Sequence, residues 1–375
     1  MVALSARIGA VGDLMWGDQP LCYGFGIRSC RERRLDREYP LEEIKSHLSN
    51  FDLLLGNLEG TIASPFEGED DVLPNMSMRG DDDAVEVMAQ SGIGLVGLAN
   101  NHILEHGPKV MARTVELLDL AGIQHIGSKW CSHRIELVNG LRIGFMAWSM
   151  VPERYSETIV SADWYNLAAD LTPILEETKL VRPGCDHLVL MLHWGNEFMS
   201  QPSMGQQSIA RELADSGVDV IFGHHPHVLQ PLETYGSSHI FYSLGNFVFD
   251  YWLNVTRDSI VADVQLGDDI SASVVPVRID RQFRPRLAVG SDAERIEIIV
   301  KSGQPVPDCE YPAAVARMRS WYRRRALVHF TLNIWRYNRR NIVRLSKWLW
   351  MRTLFIIRTR RESRLDPNVV YQGPM

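Results

Sequence analysis

Five short apolar runs along the chain end in side chains that can bind a metal. Each run is apolar almost throughout, which is typical of a strand buried on both faces. The polar residues at the ends of these runs are Asp13, Asn57 with Glu59, Asn101 with His102, His193, and His225 with His227. Open α/β sheets place their ligands at the carboxyl ends of their strands. The pattern therefore predicts a metal site with mixed nitrogen and oxygen ligands on one rim of a sheet.

Segments with helical spacing alternate with these runs, which predicts an α/β fold. The predicted helices are residues 41–48, 83–91, 107–120, 171–180 and 206–216. Asn139-Gly140 lies between two apolar runs and predicts a β-hairpin. The last predicted strands of the main body, residues 240–250, 259–266 and 272–279, favour a second, partly antiparallel sheet. The aromatic segment 151–167 is predicted to line or cover a site.

The composition fits a globular protein with a sizeable core. The chain has 375 residues, of which 45% are hydrophobic, so one large domain with an appendage or two domains are expected. Five scattered cysteines without CxxC spacing indicate a reducing compartment and argue against a disulfide framework and a cysteine zinc site. The first ten residues lack the charged and apolar regions of a signal peptide. These features predict a cytoplasmic location.

The charge is divided unevenly between the body and the tail. Residues 311–366 contain 15 Lys and Arg against 2 Asp and Glu, although the whole chain has a net charge of -7. We therefore divide the chain into a main domain at 1–305 and a basic, Trp-rich helical extension at 306–375, with a long helix predicted over 313–361. The apolar runs of the extension are shorter than the roughly 20 residues of a membrane span.

Three partners are open for this basic extension. An arginine-rich helix with tryptophans suits an anionic membrane surface, which would place the protein on the inner face of the membrane. It equally suits a polyanionic polymer, or docking onto the acidic body of the same chain. No motif typical of nucleic-acid recognition accompanies the charge.

A series of motifs resembles the CapA-type family of capsule and poly-γ-glutamate synthesis proteins. The motifs are GDLMWGD (12–18), GNLEG (56–60), LANNHILEHG (98–107), LHWGNEF (192–198), GVDVIFGHHPHVLQPLE (217–233), FYSLGNFVFD (241–250) and TRDS (256–259). Their order covers roughly residues 6–280. The resemblance implies a calcineurin-like metallophosphoesterase fold, which is an α/β sandwich of two mixed sheets flanked by helices.

The resemblance also implies a set of site residues. The predicted metal ligands are Asp13, Glu59, Asn101, His193, His225 and His227, and the predicted catalytic residues are His102, His193, Glu105 and Asp250. His106 and His224 are predicted to be structural or to support the ligands, and Asn246 to orient one of them. The cofactor is expected to be a divalent ion: Mn, Zn, Fe, Ca or Mg.

Two residues depart from the pattern of the superfamily or the family. Met15 stands where the usual phosphoesterase Asp-x-His motif has its histidine, although the CapA-type branch shares this feature. Glu105 stands where that branch typically has an aspartate.

Three functions follow from the resemblance and the ligand chemistry. The first is a metal-dependent enzyme, a hydrolase or an acid/base catalyst, that acts on a peptide or polyglutamate-like polymer in capsule biosynthesis. The second is a cytosolic enzyme that modifies peptides, such as an epimerase of a ribosomal lasso peptide. The third is a non-catalytic accessory subunit of a polymer synthase at the membrane.

Overall fold

The fold was analysed in a computed structural model that describes residues 4–34, 38–69, 76–152 and 161–346, except residues 338, 340 and 344. Part of the predicted covering segment, residues 153–160, lies outside the described residues, as does the tail beyond residue 346. The described strands are β1 (Ala6–Leu14), β2 (Leu53–Leu58), β3 (Thr61–Ile62), β4 (Arg79–Gly80), β5 (Ile93–Gly97), β6 (Gln124–Ile126), β7 (His133–Val138), β8 (Leu141–Ser149), β9 (His187–His193), β10 (Val220–His224), β11 (Leu232–Tyr235), β12 (Ser238–Phe241), β13 (Asn246–Val248), β14 (Asp258–Leu266), β15 (Ser271–Ile279) and β16 (Pro285–Leu287).

The helices connect these strands and extend beyond them at the C-terminal side. They are α1 (Ile27–Arg33), α2 (Lys45–Leu48), α3 (Ala84–Gln90), α4 (Gly107–Leu120), α5 (Thr172–Val181), α6 (Met204–Asp215), α7 (Ser291–Lys301) and α8 (Tyr311–Asn333). Helix α6 begins with a capping box in which Ser203 and Gln206 exchange hydrogen bonds with each other's backbone N–H. None of the described helices combines the length and the apolar character that a bilayer span requires.

The first sheet has eight strands. Its order is β16-β15-β14-β1-β2-β5-β6, and β13 also pairs with β1. Strands β1, β2, β5 and β6 are parallel to one another, so their carboxyl ends lie on the same side. Strand β14 pairs with β1 in the antiparallel sense. The prediction that residues 259–266 and 272–279 belong to a separate second sheet is therefore wrong, because β14 and β15 extend the first sheet through β1.

The second sheet has six strands in the order β11-β12-β10-β9-β8-β7. Its central strands β8, β9, β10 and β12 are parallel. The hairpin predicted around Asn139-Gly140 forms its β7–β8 edge.

The two sheets pack face to face. Strand β9 is covered on both of its faces, which explains why it is apolar throughout. Val189 and Met191 belong to the core shared with the first sheet. Leu188, Leu190 and Leu192 point the other way and pack with residues of α5 and α6. Successive side chains of a strand alternate between its faces, so a strand covered on both sides is apolar throughout. The predicted architecture, two mixed sheets flanked by helices, is confirmed.

The basic extension begins as a helix that packs on the body. Tyr322, Ala326 and Phe330 of α8 are buried in the main core, whereas Leu327 and Val328 are exposed. Docking onto the body therefore holds for this part of the extension. Helix α8 ends at Asn333, where a short 3-10 turn follows, so the prediction of one unbroken helix over 313–361 is wrong.

Candidate metal centre

The carboxyl ends of strands from both sheets converge at one end of the sandwich. Strands β1, β2 and β5 of the first sheet lead to Asp13, Glu59 and His102. Strands β9 and β10 of the second sheet lead to His193 and to the turn that carries His225 and His227. The prediction of a site on the rim of a single sheet is thus corrected, because the polar residues come from both layers.

The turn after β10 bends sharply to present its histidines. His225 and His227 have positive φ angles, 93° and 57°. Such angles are uncommon for residues other than glycine and cost free energy, and they persist where the surrounding structure enforces them, often at functional sites. The two imidazole rings lie with their centroids 6.0 Å apart, and the His193 ring lies 4.7 Å from that of His225.

Glu59 is the centre of the cluster. It forms one potential metal-binding group with Asp13 and His227. It forms a second with His193 and His225. In each group the candidate ligand atoms lie within 4.8 Å of one another, and all these residues are buried. Because Glu59 belongs to both groups, its carboxylate would be available to an ion held by either of them.

The surroundings of the Glu59 carboxylate are suited to binding a cation. Both of its oxygens are buried and make no hydrogen bond within the described residues. The nearby imidazole nitrogens are His227 Nε2 at 3.5 Å and His193 Nε2 at 3.9 Å from Oε1. A buried carboxylate without hydrogen bonds is costly unless a cation compensates it. The mixed imidazole and carboxylate donors suit Zn, Mn or Fe, and they do not select one of these.

The cluster is strongly coupled electrostatically. Burial raises the pKa of Glu59 well above its usual value, and the neighbouring charges of Asp13 and Glu197 raise it further. Burial opposes the charged form of His227, yet the carboxylates of Glu59 and Asp13 raise the pKa of His227 to about 10. The pKa of His193 is lowered well below its usual value by burial and by the charge of His225. A divalent ion would favour the anionic carboxylate and the neutral imidazole at these positions.

Asp13 is held by four neighbours, one of which is the backbone N–H of His225, which donates to Oδ2 at 3.4 Å. Asn57 Nδ2 donates to Asp13 Oδ1 at 2.8 Å, and His224 Nδ1 lies 3.0 Å from the same oxygen. His227 Nδ1 lies 3.2 Å from Asp13 Oδ2. Burial alone would raise the pKa of Asp13, but the hydrogen bonds from His224 and His227 hold it well below its usual value. Asp13 therefore stays ionised, as a metal ligand must.

Two amide side chains contact histidines of the cluster. Asn246 Oδ1 lies 2.9 Å from His227 Nδ1, which is the orienting contact predicted for Asn246. Asn101 Oδ1 lies 2.8 Å from His193 Nε2, the nitrogen that also faces Glu59, so this amide is beside the second group and its role as a metal ligand stays a prediction. Such contacts fix the ring orientation of a ligating histidine and commonly tune its affinity for metal.

His102 and Glu105 form a pair at the edge of the cluster. His102 Nδ1 lies 2.8 Å from Glu105 Oε2, and this contact directs Nε2 towards Glu59, 3.9 Å from Oε1. An imidazole oriented by a carboxylate is a common arrangement for proton transfer. The pair is therefore placed to give or take a proton next to the metal-binding groups.

Residues 7–251 match the family described as "Bacterial capsule synthesis protein PGA_cap". This match covers well over half of the chain and includes every residue of the two metal-binding groups. The chain belongs to this family.

Named relatives agree with the family assignment. The chain is 28% identical over 306 residues to the capsule biosynthesis protein CapA of Bacillus anthracis, which covers 76% of this chain and 70% of that protein. It is 29% identical over 290 residues to a Mycobacterium tuberculosis protein named "Probable polyglutamine synthesis accessory protein", covering 69% and 75% of the two chains. Among solved structures, a 5'-nucleotidase of Candida albicans aligns over 78% of this chain and 56% of its own, with 13% identity and a TM-score of 0.42.

Asp250 and His106 also belong to none of the metal-binding groups. Asp250 is buried beside Asp18, and its Oδ2 accepts a hydrogen bond from the Gln19 backbone at 3.0 Å. Burial and the charge of Asp18 raise the pKa of Asp250 well above its usual value. His106 Nε2 lies 2.7 Å from the Ser77 carbonyl oxygen, which fits the structural role predicted for it.

Glu197 was not among the predicted site residues, but the structure brings it to the cluster. Its carboxylate forms a third potential metal-binding group with His225 and His227. Glu197 lies four residues after the end of β9, in a loop, so the strand-end rule did not identify it. The available signal was its position inside the family motif at residues 192–198.

Proposed function

We propose that this protein is a metal-dependent enzyme that acts on a peptide-like anionic polymer in capsule or polyglutamate biosynthesis. The observation that carries the proposal is the buried carboxylate of Glu59, which makes no hydrogen bond within the described residues and belongs to two groups of potential metal ligands. A purely structural carboxylate would be expected to have hydrogen-bond donors of its own. Membership of the capsule synthesis family supports the class of substrate.

The residues divide into metal-holding and proton-transferring sets. Asp13, Glu59 and His227 would hold one ion, and His193 and His225 with the shared Glu59 would hold a second. A bound divalent ion would polarise a carbonyl or phosphoryl oxygen and lower the pKa of a water molecule.

Proton transfer would be carried out by His102. Its Nδ1 proton is held by Glu105, and its Nε2 faces the shared carboxylate. In this orientation, Nε2 takes a proton from the attacking group or gives one to the leaving group. Exchange of a proton at an α-carbon would use the same pair.

The test compares metal-loaded and metal-stripped protein on defined polymers. Full-length protein, stripped with a chelator and reloaded with one divalent metal at a time, is incubated with α- and γ-linked glutamate oligomers and with capsule polymer. The products are analysed by mass spectrometry and by chiral amino-acid analysis. His225→Ala is the site variant, and His47→Ala in α2 is a matched control outside the metal-binding groups.

The outcomes separate the three functions. Shortened products formed by the metal-loaded wild type and His47→Ala, but not by His225→Ala, support a hydrolase. Unchanged mass with inverted chirality selects epimerisation. Metal-loaded protein that leaves the mass and chirality of every polymer unchanged contradicts the proposal and favours the accessory role.

A further inference from the structure

Helix α8 is linked to the metal-binding groups through aromatic side chains. The Tyr322 ring stacks on Phe198 with the centroids 4.8 Å apart and the planes 16° apart. Phe198 in turn lies 6.4 Å from the His227 ring. Two aromatic rings thus connect the helix to a residue of the cluster.

Arg319 lies on the same face of α8, three residues before Tyr322. Its Nη2 donates to Asn196 Oδ1 at 3.4 Å. The neighbouring Glu197 is close enough to act electrostatically on the guanidinium, and the Glu197 carboxylate lies within 4.8 Å of nitrogen atoms of His225 and His227. Arg319 is therefore next to a loop that reaches the metal-binding groups.

The guanidinium has hydrogen-bonding capacity that the fold does not use. It carries five N–H donors, and the hydrogen bond to Asn196 is its one partner within the described part of the chain. Its Nε is buried and has no partner there. The side chain is only partly accessible, so a bound anion would be shielded from water and attracted more strongly than at an open surface.

We propose that Arg319 binds a carboxylate of the anionic substrate next to the metal centre, so that α8 completes the substrate site. A planar guanidinium matches the two oxygens of a carboxylate with parallel hydrogen bonds. The residue lies beyond the region that matches the family, residues 7–251, so the contribution comes from the basic extension. This inference rests on the proposed function, because it concerns how the same site selects its substrate.

The test measures selectivity for charge. Metal-loaded full-length protein is titrated by calorimetry with a short γ-linked glutamate oligomer and with the same oligomer after its free carboxylates are amidated. The variants are Arg319→Met, Arg319→Lys and the control Arg317→Met, which removes an exposed arginine of the same helix. Thermal unfolding and metal content are measured for each variant.

Wild type and Arg317→Met are expected to prefer the charged oligomer. Arg319→Met is expected to lose about 10- to 100-fold of that preference while binding the amidated oligomer as wild type does. Arg319→Lys keeps the positive charge but lacks the planar group that makes two parallel hydrogen bonds. Its preference for the charged oligomer is therefore expected to lie between those of wild type and Arg319→Met.

Three results overturn the inference. If Arg319→Met and wild type prefer the charged oligomer equally, another group recognises the carboxylates. The proposed function then still stands. Equal weakening of both oligomers shows that Arg319 only supports the packing of α8. A metal-loaded wild type that binds neither oligomer overturns the proposed substrate class, and the inference with it.

Discussion

Glu59 shows how a single residue can reduce stability in favour of a site. Its carboxylate is fully buried, has no hydrogen-bond donor within the described residues, and lies near the carboxylate of Asp13. Burial raises the pKa of Glu59, so its ionisation favours the unfolded chain at neutral pH and lowers stability. Such costs are typical of functional sites, where stability and activity conflict.

Replacing Glu59 by glutamine should separate the effect of this residue on stability from its effect on metal binding. We expect metal-free Glu59→Gln to unfold at the same or a higher temperature than metal-free wild type, because the raised pKa of Glu59 makes its ionisation favour the unfolded chain at neutral pH and glutamine does not ionise. We also expect the variant to bind fewer ions per chain. Thermal unfolding with and without chelator, together with elemental analysis, measures both quantities. A metal content equal to that of wild type would contradict the shared role of Glu59.

Glu105 is expected to act through His102 alone. Glu105→Gln keeps the size of the side chain but weakens its hold on the His102 ring, so kcat should fall by about 10- to 100-fold. The metal content should not change, because Glu105 belongs to none of the metal-binding groups. Steady-state kinetics on the polymer found in the activity test gives kcat. A parallel loss of metal would show that the residue supports the ligands instead.

At the scale of elements, α8 connects the basic extension to the site. Its inward face carries Tyr322, Ala326 and Phe330, and its outward face carries exposed Leu327 and Val328 among arginines. The inward contacts include the Trp252 ring, which stacks on His329 at 4.4 Å. An anionic membrane or polymer as the partner of the outward face stays a prediction.

The inward face can be tested with a matched pair of substitutions. Phe330 is 8% exposed and packs against Tyr337, whereas Leu332, two residues later, is 69% exposed. We expect Phe330→Ala to lower the free energy of unfolding by about 3 kcal/mol. Leu332→Ala should change it by about 0.5 kcal/mol or less. Urea unfolding measures both, and equal effects would mean that the helix does not pack as described.

His329 should make the docking of α8 sensitive to acid. Burial lowers the pKa of His329 to about 4, and its Nε2 lies 3.1 Å from the Leu21 carbonyl oxygen. Between about pH 6.5 and pH 4 the unfolded chain therefore binds a proton that the folded chain does not, so stability falls as the pH falls through this range.

The check is the change in melting temperature between pH 7 and pH 4.5. His329→Phe keeps a ring against Trp252 and removes the titrating group. The melting temperature of this variant should therefore fall less than that of wild type between pH 7 and pH 4.5. An identical loss in both proteins would assign the acid sensitivity to other groups.

At the scale of the whole molecule, the cluster connects the two layers of the sandwich. Asp13 lies on β1 and Glu59 directly follows β2 of the first sheet, whereas His193 ends β9 and the other two histidines, His225 and His227, lie in the turn after β10 of the second. An ion bound by both sets would therefore bridge the layers. A ligand that binds only the folded protein stabilises it in proportion to the logarithm of its concentration.

Metal removal should accordingly destabilise the whole protein. At a free metal concentration of 100 times the dissociation constant, one site contributes about 2.7 kcal/mol. We expect the melting temperature to fall with chelator and to rise again when the effective metal is restored. His225→Ala should show a smaller difference, and a wild-type melting temperature that is independent of metal would contradict the bridging role.

The sequence by itself determined the strands that lead to the site and the residue types at their ends. Buried strands in both sheets are apolar on both faces, so their limits and the polar residues after them, such as Asp13 and His193, are visible in the pattern. The turn residues Asn139-Gly140 likewise specified their hairpin. These features depend on local composition and spacing.

Only the tertiary structure decided which residues meet. It joined β14 to β1 in the first sheet, brought strand ends from two sheets around Glu59, and placed the loop residue Glu197 beside His225. It also placed Arg319, more than 100 residues later in the chain, against Asn196. Strand pairing and helix docking depend on contacts between distant segments, and no local pattern of apolar and polar positions specifies the partner.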